Sequence, residues 1–212
     1  MALTMTKTGT TCIGLKYKDG VMLAADRRAT TYKIASDKMI KIFEVSKNAV
    51  STIAGEAASA QLFMRYLASE VKLLELKKER RAKISEIASI LNSVQYSAVR
   101  SQGSVVASIL GGYGEKGAKL FDMSPDGTMS DNEEYLADGS GSLWAKGVLD
   151  DDFRENLSEK EAIDLLERCF KVAFKNDNAS GGGFIVKVVT KDGIREVERK
   201  VIKSELIREE RR

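Results

Sequence analysis

The chain has 212 residues, 34 Lys+Arg against 31 Asp+Glu, two cysteines, one proline and no histidine. Without imidazole, Ser-His-Asp and Cys-His nucleophile systems, His-bearing zinc sites and phosphoryl transfer through histidine are excluded. Proton transfer near neutral pH then falls to a shifted carboxylate or lysine, a thiol, or the α-amino group, whose unperturbed pKa is roughly 7.7 to 8.0. A hydrophobic fraction of 43%, 31% charged residues and a net charge of +3 fit one soluble domain of two or more packed layers, with neither nucleic acid nor membrane expected as a partner.

The first nine residues lack an apolar h-region and are too short to span a bilayer, so no export is expected. Residues 11–17 and 21–26 flank Lys18-Asp19-Gly20 and read as a hairpin. Cys12 in its first strand lies far from Cys169 and outside CxxC spacing, which fits a reducing compartment better than a disulfide framework or a zinc cluster. A second strand pair is expected at 41–45 and 49–54, with Ser46-Lys47-Asn48 as turn chemistry.

From Glu56 the pattern becomes helical: Phe63, Tyr66, Leu67, Val71 and Leu74 recur at helical spacing, and neither Gly nor Pro interrupts the run before Lys83. A second helix follows with Ile84, Ile87, Leu91, Val94 and Ala98 on one side. The cations Lys72, Lys77, Lys78, Arg80, Arg81 and Lys83 along this stretch alternate with Glu75 and Glu79, the pattern of a solvated face. Strands are expected again at 104–110 and 118–123, helices after Gly141 and over 159–175, and a last hairpin at 184–190 and 194–201 turned by Lys191-Asp192-Gly193; Ser204 opens a charged tail. Strands and helices thus come in blocks, which predicts an α+β fold with two antiparallel sheets sandwiched between pairs of helices.

Few residues can carry chemistry. Gly9-Thr10-Thr11 precedes the first strand, and two threonines there are ordinary β-formers. Cleavage after Gly9 would instead give Thr10 a hydroxyl and a free amine on one residue, supplying the base that the missing histidine cannot. Asp26 and Lys41 read as solvated charges at strand ends, or as a buried pair that activates a threonine hydroxyl. Gly55 stands between a strand and a helix, as a turn or as a backbone donor to an oxyanion. Gly139-Ser140-Gly141-Ser142 has the form of a helix cap, and Asp177-Asn178-Ala179-Ser180-Gly181 that of a helix stop.

Together with Lys18-Asp19-Gly20-Val21, Asp26-Arg27-Arg28-Ala29-Thr30 and Ala54-Gly55, this ordered set resembles the β-type subunit of the 20S proteasome, in its archaeal form, from about Gly9 to about Val189. The resemblance implies the N-terminal nucleophile hydrolase fold, a four-layer αββα sandwich. It implies a propeptide over 1–9, removed by self-cleavage between Gly9 and Thr10, and a peptidase domain over 10–212. Thr10 would be the nucleophile of a threonine-type endopeptidase, Asp26 and Lys41 its electrostatic pair, Gly55 the oxyanion donor, and Ser140, Asp177 and Ser180 the holders of the amine and its water. Thr30 would pair through its backbone with an extended substrate, and Ala29, Met39, Phe43, Ile53 and Ala57 would line an apolar pocket that favours cleavage after hydrophobic residues.

Two departures stand out: Cys12 replaces a common threonine or serine, and the segment 31–37 is one residue shorter than in some relatives, which makes Lys38 a competitor of Lys41. Lys41 is preferred because it precedes the apolar pair Ile42-Phe43. The resemblance further implies a cytoplasmic protein without cofactor or metal. Its expected partners are other β-type subunits in heptameric rings, α-type subunits, an ATP-dependent regulatory cap and unfolded polypeptide substrates. A catalytically silent ring subunit with an assembly role is the alternative function.

Overall fold

The computed structural model describes residues 9–202, apart from Tyr32 and Asn132. The residues before Gly9, which hold most of the expected propeptide, and the tail from Lys203 therefore lie outside the described residues. One sheet is built from β1 (Cys12–Tyr17), β2 (Gly20–Asp26), β11 (Tyr135–Asp138), β12 (Phe184–Thr190) and β13 (Gly193–Lys200), in the order β11-β1-β2-β12-β13 and antiparallel throughout. A short ribbon follows β2, formed by β3 (Ala29–Thr30) and β4 (Ile34–Ser36). The second sheet contains β5 (Ile42–Ser46), β6 (Ala49–Thr52), β8 (Val106–Gly114), β9 (Gly117–Met123) and β10 (Met129–Ser130), with β7 (Ala54–Gly55) paired to β8. Helices α1 (Ala57–Lys78) and α2 (Ile84–Gln102) cover the second sheet, and α3 (Ser142–Asp152) and α4 (Glu159–Asn176) cover the first.

Side-chain alternation along β2 explains the layering. Met22 and Ala24 pack toward α3 and α4, while Val21, Leu23 and Ala25 pack toward the other sheet against Ile42, Val50, Ile109 and Leu120. All seven β2 residues are buried, as expected for a strand covered on both faces. Three apolar layers result: helices on sheet, sheet on sheet, sheet on helices. The expected αββα sandwich is thus the observed architecture.

Four local features depart from the sequence reading. The first helix stops at Lys78, because Glu79 turns into the left-handed region at φ 51°, a stop usually signalled by glycine. The strand expected over 49–54 breaks after Thr52 and resumes as β7, and β11 was not expected from the sequence at all. Lys41 lies just before β5, not within it.

Candidate active site

One end of the sandwich gathers residues from the full length of the chain. The first sheet brings the end of β2 beside the start of β1, so that the Asp26 N–H donates to the Thr11 carbonyl at 3.0 Å. The start of α3 carries Ser140 and Gly141 to the same place, where the Gly141 N–H donates to the Thr10 carbonyl at 3.1 Å. The C-terminus of α4 is capped by Asp177, and the following loop packs so closely on Gly9 that a Cβ there would lie 1.8 Å from the Ala179 Cβ. Only glycine fits at that position without moving the loop.

At the centre, Lys41 Nζ donates to Asp26 Oδ1 at 2.6 Å and to Thr10 Oγ1 at 2.9 Å. It also reaches the Gly9 carbonyl oxygen, at 3.2 Å. The Thr10 hydroxyl in turn donates to that carbonyl at 2.7 Å. The ion pair is dry: the Asp26 side chain is 0% exposed and that of Lys41 3%. A buried pair persists only when its remaining valences are filled, and here the backbone fills them. Thr11 N–H donates to Asp26 Oδ1 at 3.0 Å, while Arg28 and Gly181 N–H donate to Oδ2 at 3.1 and 3.0 Å. Burial pushes the Asp26 carboxyl up from its ordinary range, against the ammonium of Lys41 and the N–H groups of Gly181 and Thr11. Lys38 is exposed and takes no part.

A second chain of bonds runs from the Thr10 nitrogen. Its N–H donates to Ser140 Oγ at 3.2 Å; the Ser140 hydroxyl donates to Asp177 Oδ2 at 2.6 Å; Ser180 Oγ donates to the same oxygen at 2.6 Å and meets Thr11 Oγ1 at 2.8 Å. Hydroxyls that relay between a nitrogen and a carboxylate can orient a base at that nitrogen. Neither cysteine competes as nucleophile. Burial pushes the Cys12 thiol far up and that of Cys169 up to about 12, so neither is a thiolate at neutral pH.

A small cavity of about 30 Å³ opens beside Thr10, lined by Gly9, Arg28, Lys41 and Gly55 and by the apolar side chains of Ala29, Met39, Ile53 and Ala57. Phe43 is not among its walls. Strand alternation turns Ile42 between the sheets and Phe43 toward the core under α1 and α2. Thr30 pairs with Ile34 in the β3–β4 ribbon, and its hydroxyl donates to the Ala179 carbonyl at 3.0 Å.

A model of the family described as "Proteasome subunit" matches residues 6–189. The chain belongs to the proteasome subunit family. Proteins named proteasome subunit beta are similar to it over most of their length. That of Methanobrevibacter ruminantium is 33% identical, over 92% of both chains. That of Methanothermobacter thermautotrophicus is 36% identical, over 88% of this chain and 89% of its own. That of Haloferax volcanii is 37% identical, over 89% of this chain and 76% of its own.

Two contributors to this proteasome subunit's site had no signal of their own in the sequence. Thr11 reads as a β-former, yet its N–H and hydroxyl join the Asp26 and Ser180 arms. Arg28 reads as one of a basic pair, yet its guanidinium bridges Asp37 at 2.9 Å and the Ser180 carbonyl at 3.3 Å, tying the 177–181 loop to the β3–β4 ribbon. The doublet Arg27-Arg28 directly after a buried acid was the only hint. No helix among the described residues is long and apolar enough to cross a membrane.

Proposed function

We propose that this subunit is a proteolytic, β-type component of a proteasome core particle, acting as a threonine-type endopeptidase with Thr10 as nucleophile. The observation that carries the reading is the dry Lys41 ammonium, held by Asp26 and 2.9 Å from the Thr10 hydroxyl, in a chain without histidine. A cation there lowers the cost of alkoxide formation and replaces the missing imidazole.

Maturation comes first. Thr10 Oγ1 attacks the Gly9 carbonyl carbon, and the C–N bond breaks as the hydroxyl proton passes to the departing nitrogen. Water then hydrolyses the resulting ester, releasing residues 1–9 with a carboxylate and leaving Thr10 with a free amine. Lys41 lies within 3.2 Å of the oxygen that carries negative charge during the attack. The new amine, next to Ser140, serves as base for substrate hydrolysis: it takes the hydroxyl proton, and later gives it to the leaving amine of the peptide. Ser140, Asp177 and Ser180 orient it, and Gly55, on the wall of the same cavity, takes the part of oxyanion donor.

Ala29, Met39, Ile53 and Ala57 make the adjoining pocket apolar, which favours cleavage after hydrophobic residues. We further read the working form as two stacked seven-membered β rings between rings of α-type subunits, fed with unfolded chains by an ATP-dependent cap in the cytoplasm.

N-terminal sequencing of active particles tests the core of this. The mature chain should begin Thr-Thr-Cys-Ile, and Thr10→Ala should keep its leader and hydrolyse nothing. Active particles whose chain still begins at Met1, or an active Thr10→Ala, would overturn the assignment.

A further inference from the structure

Asp138 ends β11, immediately before the turn that carries Ser140. The register of β11 on β1 sets it opposite Cys12. Alternation turns it, like Leu136, into the layer between the sheets, where Leu136 and Cys12 pack. Asp138 Oδ1 accepts the Gly139 N–H at 2.6 Å. Its Oδ2 is buried and has no hydrogen-bond partner among the described residues. The titratable groups facing it are the Cys12 thiol on β1 and the Asp122 carboxyl on β9, which is itself influenced by Glu133. A half-buried acid with one buried, orphaned oxygen and a second carboxyl facing it is costly, and packing alone does not call for it.

What Asp138 holds is Gly139. That residue sits at φ +89°, and a Cβ on it would lie 2.2 Å from the Thr10 carbonyl oxygen, so the turn presses on the backbone of the nucleophile. The next two residues grip Thr10 from either side, Ser140 Oγ at its nitrogen and the Gly141 N–H at its carbonyl.

We propose that Asp138 is a positioning residue for the hydrolysis, its carboxylate holding the Gly139–Ser140–Gly141 turn against Thr10 and so fixing the hydroxyl that orients the amine. The inference rests on the reading of Thr10 as nucleophile. A carboxylate grips an N–H more strongly than a neutral acid or an amide does. Burial, reinforced by Asp122, pushes the Asp138 carboxyl up to about 6. The grip is therefore at full strength above that pH and weakens as pH falls through it.

The test compares kcat of processed wild-type and Asp138→Asn particles on one fluorogenic peptide from about pH 5 to about pH 8, a range that spans the shifted carboxyl. Dividing variant by wild type cancels every titration the two share, those of Asp26 and the Thr10 amine included. Asparagine keeps the shape and one acceptor but cannot ionise. The ratio should stand near one at the acid end and fall to about one-fifth at the alkaline end, the order of gain from a charge-assisted bond. Its midpoint should lie near 6, with KM unchanged.

A ratio that is flat across the range overturns the proposal: flat at one, Asp138 is idle; flat below one, its role is structural only. If Asp138→Asn does not assemble, Asp122→Asn replaces it. Removing the facing charge should let Asp138 ionise at lower pH, raising that variant's ratio above one on the acid side only, and a ratio that stays at one there is the adverse result. Thr10→Ala is run alongside. Residual activity in it would sink the nucleophile reading itself, whereas a dead Thr10→Ala with a flat Asp138→Asn ratio sinks only the present inference.

Discussion

Lys41 and Asp26 depend on each other because neither reaches water. Removing one partner of a buried pair leaves the other uncompensated, at about 3–5 kcal/mol, though three backbone N–H groups on Asp26 soften the loss here. Lys41→Ala should therefore give a folded but less stable subunit that, on the proposed mechanism in which one hydroxyl makes both attacks, neither sheds residues 1–9 nor cleaves peptide. The fall in rate should far exceed the tenfold that ~1.4 kcal/mol of barrier represents. Lys38→Ala should spare both reactions, because that side chain is exposed and only its backbone N–H is engaged, by Ser36 Oγ. Intact masses and peptidase assays of the two variants decide it; normal processing in Lys41→Ala would remove the residue from the mechanism. The preference for Lys41 was legible from the apolar pair behind it, which anchors the lysine at the mouth of a buried strand. Phe43 was misjudged by the same strand's alternation: it is one residue out of phase with the cavity. Asp138 was invisible for a different reason, since an acid between a strand and a glycine reads as an ordinary loop residue until burial is known.

At the level of elements, apolar periodicity located the long helices and central strands, because their buried faces repeat over many residues. It failed where backbone conformation, not burial, sets the boundary. Glu79 ends α1 in the left-handed region although Lys77-Lys78-Glu79-Arg80-Arg81 holds no glycine or asparagine to mark the stop, and β11 is a short strand whose four residues are all half-buried, too brief for a pattern. The Glu79 conformation costs a side-chain-bearing residue about 1–2 kcal/mol. Glu79→Gly should recover part of this, less the entropy that glycine loses on folding, for a net gain of up to about 1 kcal/mol. Peptidase activity should be unaffected, since α1 approaches the site only at its other end, through Ala57. Thermal unfolding of the variant measures the effect, and a drop in melting temperature would mean that the Glu79 side chain contributes a contact worth more than the strain.

Across the whole molecule, four layers let residues 10, 26, 41, 140, 177 and 180 converge, and they leave α1 amphipathic in an unusual sense. Ala60, Phe63, Met64, Leu67 and Val71 are buried on the inner face, yet Leu62, Tyr66, Leu73 and Leu76 are exposed on the outer one, also at helical spacing. Exposed apolar stripes of this kind mark interaction surfaces, and a family that builds rings supplies a neighbour to cover one. The stripe contributes little to the fold of the isolated chain, where surface substitutions away from special features fall within about 0.5 kcal/mol. It should contribute much to association, where two charges buried without partners are heavily penalised. The double substitution Leu73→Glu, Leu76→Glu should then leave circular dichroism and melting of the separate subunit near those of the wild type, while particles of full size no longer form when it is co-expressed with the other ring subunits. Native mass spectrometry reads the outcome directly. Full-size particles containing the doubly charged helix would show that this face stays in solvent after assembly, and the covering surface would have to be sought elsewhere, beginning with the exposed Leu143 and Trp144 at the start of α3.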